Sequence, residues 1–117
     1  MMTLYGIKNC DTVRKARRTL EQLGAEFRFV DFDETPVDEA TLRRWLTRCD
    51  IKKLFNTRST TYRSLGLKAD ALSDDEKIAW MVKENRLIKR PVLETEHNTL
   101  VGFDASAYRD TITTKEH

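Results

Sequence analysis

The chain has 117 residues with 21 Lys plus Arg, 19 Asp plus Glu and a formal charge of +2. That length suits one compact domain that can bury a core without disulfide or metal staples, and the near-balanced charge does not mark a nucleic-acid binder. Two Cys and two His fall short of the usual four-ligand zinc site, no apolar run approaches a membrane helix, and no secretory signal precedes Thr3, so the expectation is a cytoplasmic monomer with reduced thiols and no metal.

In chain order, Thr3-Leu4-Tyr5-Gly6-Ile7 is β-prone. Val13, Ala16, Leu20 and Leu23 then form a helical stripe that Gly24 stops. Phe27 to Phe32 reads as a second strand, and a right-handed crossover would make the two strands parallel. Thr35-Pro36 reads as a cap opening a helix through Ala40, Leu42, Trp45 and Leu46. Short helices follow from about Lys52 to Arg86, with Ser73-Asp74-Asp75-Glu76 as a capping box. Leu87 to Leu93 leads into a strand, Glu96-His97-Asn98 turns it back into Leu100 to Phe103, and a last helix runs from Ser106 towards Ile112, followed by a polar tail. The order is β-α-β, helices, then β-β-α: one mixed α/β domain over 1–117 with a helical insertion at about 36–86.

Cys10 stands between the first strand and the first helix, among Lys8, Asn9, Asp11 and Thr12. Free N–H groups and the positive end of the helix dipole favour an anion there, and the thiolate is the reactive form of cysteine. Arg14 and Lys15 add positive field. Asp11 opposes it unless it turns to solvent, and Thr12 can donate to the sulfur. Cys49, late in a helical segment near Trp45, reads as structural. Position 13 is Val, so no CxxC is written and any thiol cycle needs an outside thiol to resolve it.

Arg90-Pro91 is the second signal. A proline opening a strand in an α/β thiol domain is a common place for a cis bond beside the sulfur, and Arg90 would then aim its fork at anions near Cys10. Arg58, in Asn56-Thr57-Arg58-Ser59, is a further candidate. From Thr41 to Arg63 seven basic residues meet one acid, Asp50, which marks either a solvated face or a docking surface.

On Tyr5 to Val13 with Arg14-Lys15-Ala16, Asn56-Thr57-Arg58-Ser59 and Arg90-Pro91, the chain resembles the ArsC/Spx family, its YffB-type branch above all. The resemblance implies a thioredoxin-like fold with a four-stranded mixed sheet and the helical insertion between βαβ and ββα halves. Family arsenate reductases use one cysteine, glutathione, glutaredoxin and three arginines. Cys10 and Arg90 match that cysteine and one arginine, whereas Asn56 and Phe103 stand where the others are called for, and Gly6 replaces a histidine.

Loss of two anion donors would remove on the order of several kcal/mol of oxyanion stabilisation. The resemblance then implies a glutathione-dependent monothiol reductase: Cys10 as nucleophile, glutathione as co-substrate, glutaredoxin or a protein disulfide as partner, and Lys8, Arg58 and Arg90 on the tripeptide's carboxylates. With Asp11, Thr12 and Pro91 these complete the expected site. The alternative is an Spx-type regulatory module that docks on a protein or nucleic acid through its basic segment. A third reading is retained arsenate reduction.

Overall fold

A computed structural model describes residues 2–113. The polar tail expected after the last helix lies, from residue 114 on, outside the described residues. The chain divides into two compact units, Met1–Thr35 with Arg90–His117, and Pro36–Lys89.

The first unit holds a four-stranded sheet in the order β2-β1-β3-β4. The strands are β1 (Met2–Gly6), β2 (Phe27–Asp31), β3 (Val92–Glu94) and β4 (Thr99–Val101). β1 and β2 run parallel, with Met2 opposite Phe27 and Gly6 opposite Asp31. β3 is antiparallel to both β1 and β4, so the sheet is mixed, as expected for a thioredoxin-like fold. Helix α1 (Asp11–Gln22) makes the crossover between β1 and β2. It buries Val13, Ala16 and Leu20, the stripe visible in the sequence. Ala16, Leu20, Met2, Leu4 and Leu93 share one apolar cluster with Tyr108 and Ile112.

That last pair belongs to helix α6 (Ala105–Thr113). Asp104 starts it, accepting from the Ser106 and Ala107 amides at 2.9 and 3.2 Å. Burial holds the Tyr108 phenol well above its ordinary pKa.

The second unit is helical: α2 (Glu39–Leu46), α3 (Ile51–Leu54), α4 (Thr60–Leu65) and α5 (Asp74–Lys83), with single 3-10 turns at Ala69–Ala71 and Asn85–Leu87. Leu42, Trp45, Leu54, Phe55, Ile78, Met81, Leu87 and Ile88 of this unit are buried. Asn85 ties its two ends together. The Asn85 Oδ1 accepts from the Val37 amide at 2.8 Å, while Nδ2 donates to the carbonyls of Val37 and Met81 at 3.3 and 2.8 Å. The capping box expected at Ser73 and Glu76 is formed in both directions. Ser73's groups hold the Glu76 carboxyl below its ordinary pKa.

The start of α2 differs from the sequence reading. α2 begins at Glu39, capped by Asp38, whose Oδ1 accepts from the Thr41 amide at 2.9 Å. Thr35 and Pro36 do not open it, because the Thr35 amide is already bonded to the Asp31 carbonyl at 2.8 Å in the turn after β2. The strand into which Leu87 to Leu93 leads begins at Val92, directly after the proline expected to open it. Pro91 has no N–H to give a sheet partner, and the residues before it return to the helical unit: Lys89 donates to the Leu54 carbonyl at 2.8 Å.

Candidate functional site

β1 ends at Gly6, and the four residues that follow carry the chain into α1 with Cys10 as its N-cap, in extended backbone at φ −102° and ψ 123°. The Cys10 amide donates to the Ile7 carbonyl at 3.2 Å, and the Cys10 carbonyl accepts from the Arg14 amide at 3.0 Å. The thiol is therefore fixed at the helix start by backbone on both sides. Its side chain is half-buried.

α1 reaches this close to β1 because position 6 has no side chain. A Cβ built on Gly6 would lie 2.7 and 3.0 Å from the two methyl carbons of Val13, well inside carbon–carbon contact of about 3.5–4.0 Å. Val13 itself is fully buried. The position three after Cys10 is thus a core position.

Two details around the sulfur depart from the sequence reading. Sγ makes no capping hydrogen bond with the first turn of α1, so the direct amide-to-sulfur bond expected there is not formed among the described residues. Asp11 is turned to solvent but is not isolated there, since its carboxylate pairs with the Arg14 guanidinium. The two charges offset one another next to Cys10. Lys15 and the helix dipole remain as positive terms.

Lys8 is also occupied. Its ammonium sits 3.1 Å from both carboxylate oxygens of Glu34, an exposed pair of the kind worth about 0–1 kcal/mol. An incoming carboxylate would compete with Glu34 for it. The Lys8 amide donates to Asp31 Oδ2 at 3.2 Å, and the other oxygen of that buried carboxylate accepts from the Asp33 amide at 2.7 Å.

Pro91 lies at the same end of the sheet as the Cys10 loop. Val92 pairs with Tyr5 in the antiparallel β1/β3 ladder, so the start of β3 adjoins the end of β1. The Arg90-Pro91 peptide is cis, as expected from the sequence. The Pro91 carbonyl accepts from the Gly102 amide at 2.8 Å. Lys8, Cys10, Asp11, Thr12, Arg90 and Pro91 therefore gather at one end of the first unit. Arg58 belongs to the Pro36–Lys89 unit, where its amide donates to Asn56 Oδ1 at 3.1 Å in an Asx turn before α4.

The two positions where the resemblance calls for arginine have other duties. Asn56 shapes that turn, and its carbonyl accepts from the Ser59 hydroxyl at 3.0 Å. Phe103 packs edge-on against Tyr108, ring centroids 5.1 Å apart.

Cys49 follows α2 and lines an open cavity of about 410 Å³ in the helical unit, with Arg43, Leu46, Ile51 and Ile78 among its walls. Partial burial, and secondarily the Asp50 carboxylate, push its thiol above the ordinary pKa, with Lys53 opposing. Among the described residues no three His, Cys, Asp or Glu side chains converge as metal ligands. No helix there is long and apolar enough to cross a membrane.

A βαβ–ββα sheet with a thiol at the first helix start and a cis-proline at the same sheet end defines a thioredoxin-like thiol protein. The family follows from the sequence as a whole: residues 5–111 match the ArsC family, and the chain belongs to it. A solved protein named YffB is 36% identical, superposes with a TM-score of 0.86, and the match covers 94% of this chain and 97% of that one. YusI of Bacillus subtilis is 32% identical over 113 residues, covering 93% of this chain and 96% of its own. The global transcriptional regulator Spx of Listeria monocytogenes is 27% identical over 111 residues, covering 93% of this chain and 85% of its own.

Proposed function

We propose that this chain is a glutathione-dependent monothiol reductase with Cys10 as its nucleophile. The observation that carries this reading is the placement of Cys10 as N-cap of a twelve-residue helix with the buried Val13 three positions on. The first feature sets the sulfur at the positive end of the helix dipole. The second leaves no neighbouring thiol to resolve a disulfide, so resolution falls to an external thiol.

In the forward step the Cys10 thiolate attacks the glutathionyl sulfur of a mixed disulfide, RS–SG. A Cys10–SG bond forms as the RS–SG bond breaks, and the leaving thiolate takes up a proton. Free glutathione then attacks Cys10–SG, which releases oxidised glutathione and restores the thiolate. The net reaction is RSSG plus GSH giving RSH plus GSSG. Arg90 has the fork geometry to hold a carboxylate of the tripeptide, and Lys8 does so by exchanging Glu34 for ligand. Asp11 and Thr12 flank the sulfur at the helix start, and Pro91 closes the site from the start of β3. A cytoplasmic monomer meeting a reduced glutathione pool is the setting this chemistry requires. Glutaredoxin or an oxidised protein would be its partner.

The test is turnover of a small glutathione mixed disulfide, followed by coupled reduction of the oxidised glutathione released. Cys10→Ser should abolish turnover and Cys49→Ser should retain it. Turnover that persists in Cys10→Ser would overturn the proposal. Arsenate should be turned over marginally at most, because Asn56 and Phe103 are committed to a turn and to the core. Likeness to an Spx regulator favours one second reading, a docking module that uses the basic 41–63 segment. Within that segment Arg43 is already engaged by Glu39 and Asp75 at 2.8 and 3.3 Å, which reduces the charge left for a partner.

A further inference from the structure

We infer that Asp31, at the end of β2, is a positioning residue for Cys10; the inference rests on Cys10 being the nucleophile. Asp31 is 8% exposed, and a carboxylate that far from water requires hydrogen-bond donors. Two backbone amides supply them: Lys8 at 3.2 Å to Oδ2 and Asp33 at 2.7 Å to Oδ1. The second bond closes a local turn, which the Asp31 carbonyl reinforces by accepting from Glu34 and Thr35 at 3.1 and 2.8 Å. The first reaches across 23 residues of sequence to the loop that carries the thiol.

Among the described residues that loop has few other backbone anchors. Between Gly6 and Cys10 the sheet ladder has ended: the Gly6 carbonyl accepts from the Phe32 amide at 2.8 Å, and the next backbone bond is Cys10 to Ile7. The Lys8 amide lies between these two, and its bond to Asp31 is the backbone anchor at the middle of the loop, beside the exposed Lys8–Glu34 side-chain pair and the buried Ile7. Charge-assisted acceptors make the stronger hydrogen bonds, and small displacements of a reacting group are costly in rate. Asp31 thus holds the sulfur's approach geometry without touching substrate.

Asp31→Asn is the discriminating variant, because an amide keeps the shape but offers one acceptor oxygen where the carboxylate offered two. One amide, Lys8 or Asp33, is then left facing an NH₂ group. Three readouts are taken on wild type and variant: the rate of Cys10 glutathionylation by oxidised glutathione, the alkylation rate of Cys49, and hydrogen exchange at the Lys8 amide. The expected result is a loss of about tenfold in the Cys10 rate and faster Lys8 exchange, with Cys49 still slow. A general loosening would instead accelerate Cys49.

A wild-type Cys10 rate in Asp31→Asn, with Lys8 exchange unchanged, would overturn the positioning role and leave the reductase reading intact. No glutathionylation of the wild type would overturn the reductase reading itself, and the positioning role with it. Should the variant fail to fold, hydrogen exchange on the wild type decides. A Lys8 amide that exchanges at the rate of an open loop would refute the tether, and one protected like Asp33 would support it.

Discussion

Replacing Gly6 by alanine puts the central packing contact of the site under direct strain. The added Cβ would meet Val13 Cγ2 at 2.7 Å and Cγ1 at 3.0 Å, closer by roughly 0.5–1 Å than carbon contacts allow. Val13 cannot swing aside, since a β-branched side chain in a helix is confined largely to one rotamer and this one is wholly buried. Relief must come from moving the start of α1 away from β1. Overpacking of that kind costs about 1–3 kcal/mol, which for a domain this size lowers Tm by roughly 4–12 °C. The displacement acts on the turn that carries Cys10, so its reaction with oxidised glutathione should slow as well. Val13→Ala removes both clashing methyls. Alone it should cost about 2 kcal/mol or more in lost burial and cavity. In that background Gly6→Ala should become neutral or favourable by up to about 1 kcal/mol, because alanine carries less backbone entropy than glycine. Thermal and urea unfolding of the four proteins measures the coupling, expected to be on the order of 2 kcal/mol. A Gly6→Ala protein with wild-type Tm, or the same loss in both backgrounds, would refute the reasoning.

Other outcomes follow from individual contacts. Tyr108→Phe should be neutral or stabilising by up to about 1 kcal/mol in urea titration, because the phenol is buried without a hydrogen-bond partner among the described residues. The folded pKa of this phenol is raised, so its contribution is present below the unfolded value and is lost as pH rises above it; the variant should outlast wild type in alkali. Cys49 should alkylate slowly near neutral pH and accelerate only at a pH above that needed for a free thiol, since burial raises its pKa. Mapping the alkylated residue by peptide mass at stepped pH checks this. Glu34→Gln should free Lys8 and tighten binding of glutathione a few-fold at low salt, with the gain shrinking as ionic strength rises. Equal affinity for the two proteins would remove Lys8 from the site.

The parts of the fold legible in the sequence are those with a local signature. The stripe of Val13, Ala16 and Leu20 gave α1, Ser73 and Glu76 gave the start of α5, and Pro91 marked the beginning of a strand at the site. The start of α2 was misplaced at Pro36 because two cap patterns lie three residues apart, and only the Asp31–Thr35 turn decides between them. The site was legible as residue types in order, with Cys10 and Arg90-Pro91 brought to one sheet end as expected. Its electrostatics were not. The Lys8–Glu34 pair and the Asp31 tether join residues 26 and 23 positions apart, distances at which periodicity carries no information. The Asp11–Arg14 pair is local, at i,i+3, and could have been read from helix spacing. Gly6 had a signal too, a glycine closing a strand just before a helix, where close backbone approach is a standing reason for glycine.

The central claim is that Cys10 is a nucleophile towards glutathione disulfides, and intact mass after exposure to oxidised glutathione tests it most directly. Wild type should gain one glutathionyl group, mapped to Cys10, and lose it on addition of excess reduced glutathione. Cys10→Ser should gain none on the same timescale, and Arg90→Ala should need more oxidised glutathione to reach the same rate. A wild type that stays unmodified, or an adduct that maps to Cys49 and persists in Cys10→Ser, would contradict the account.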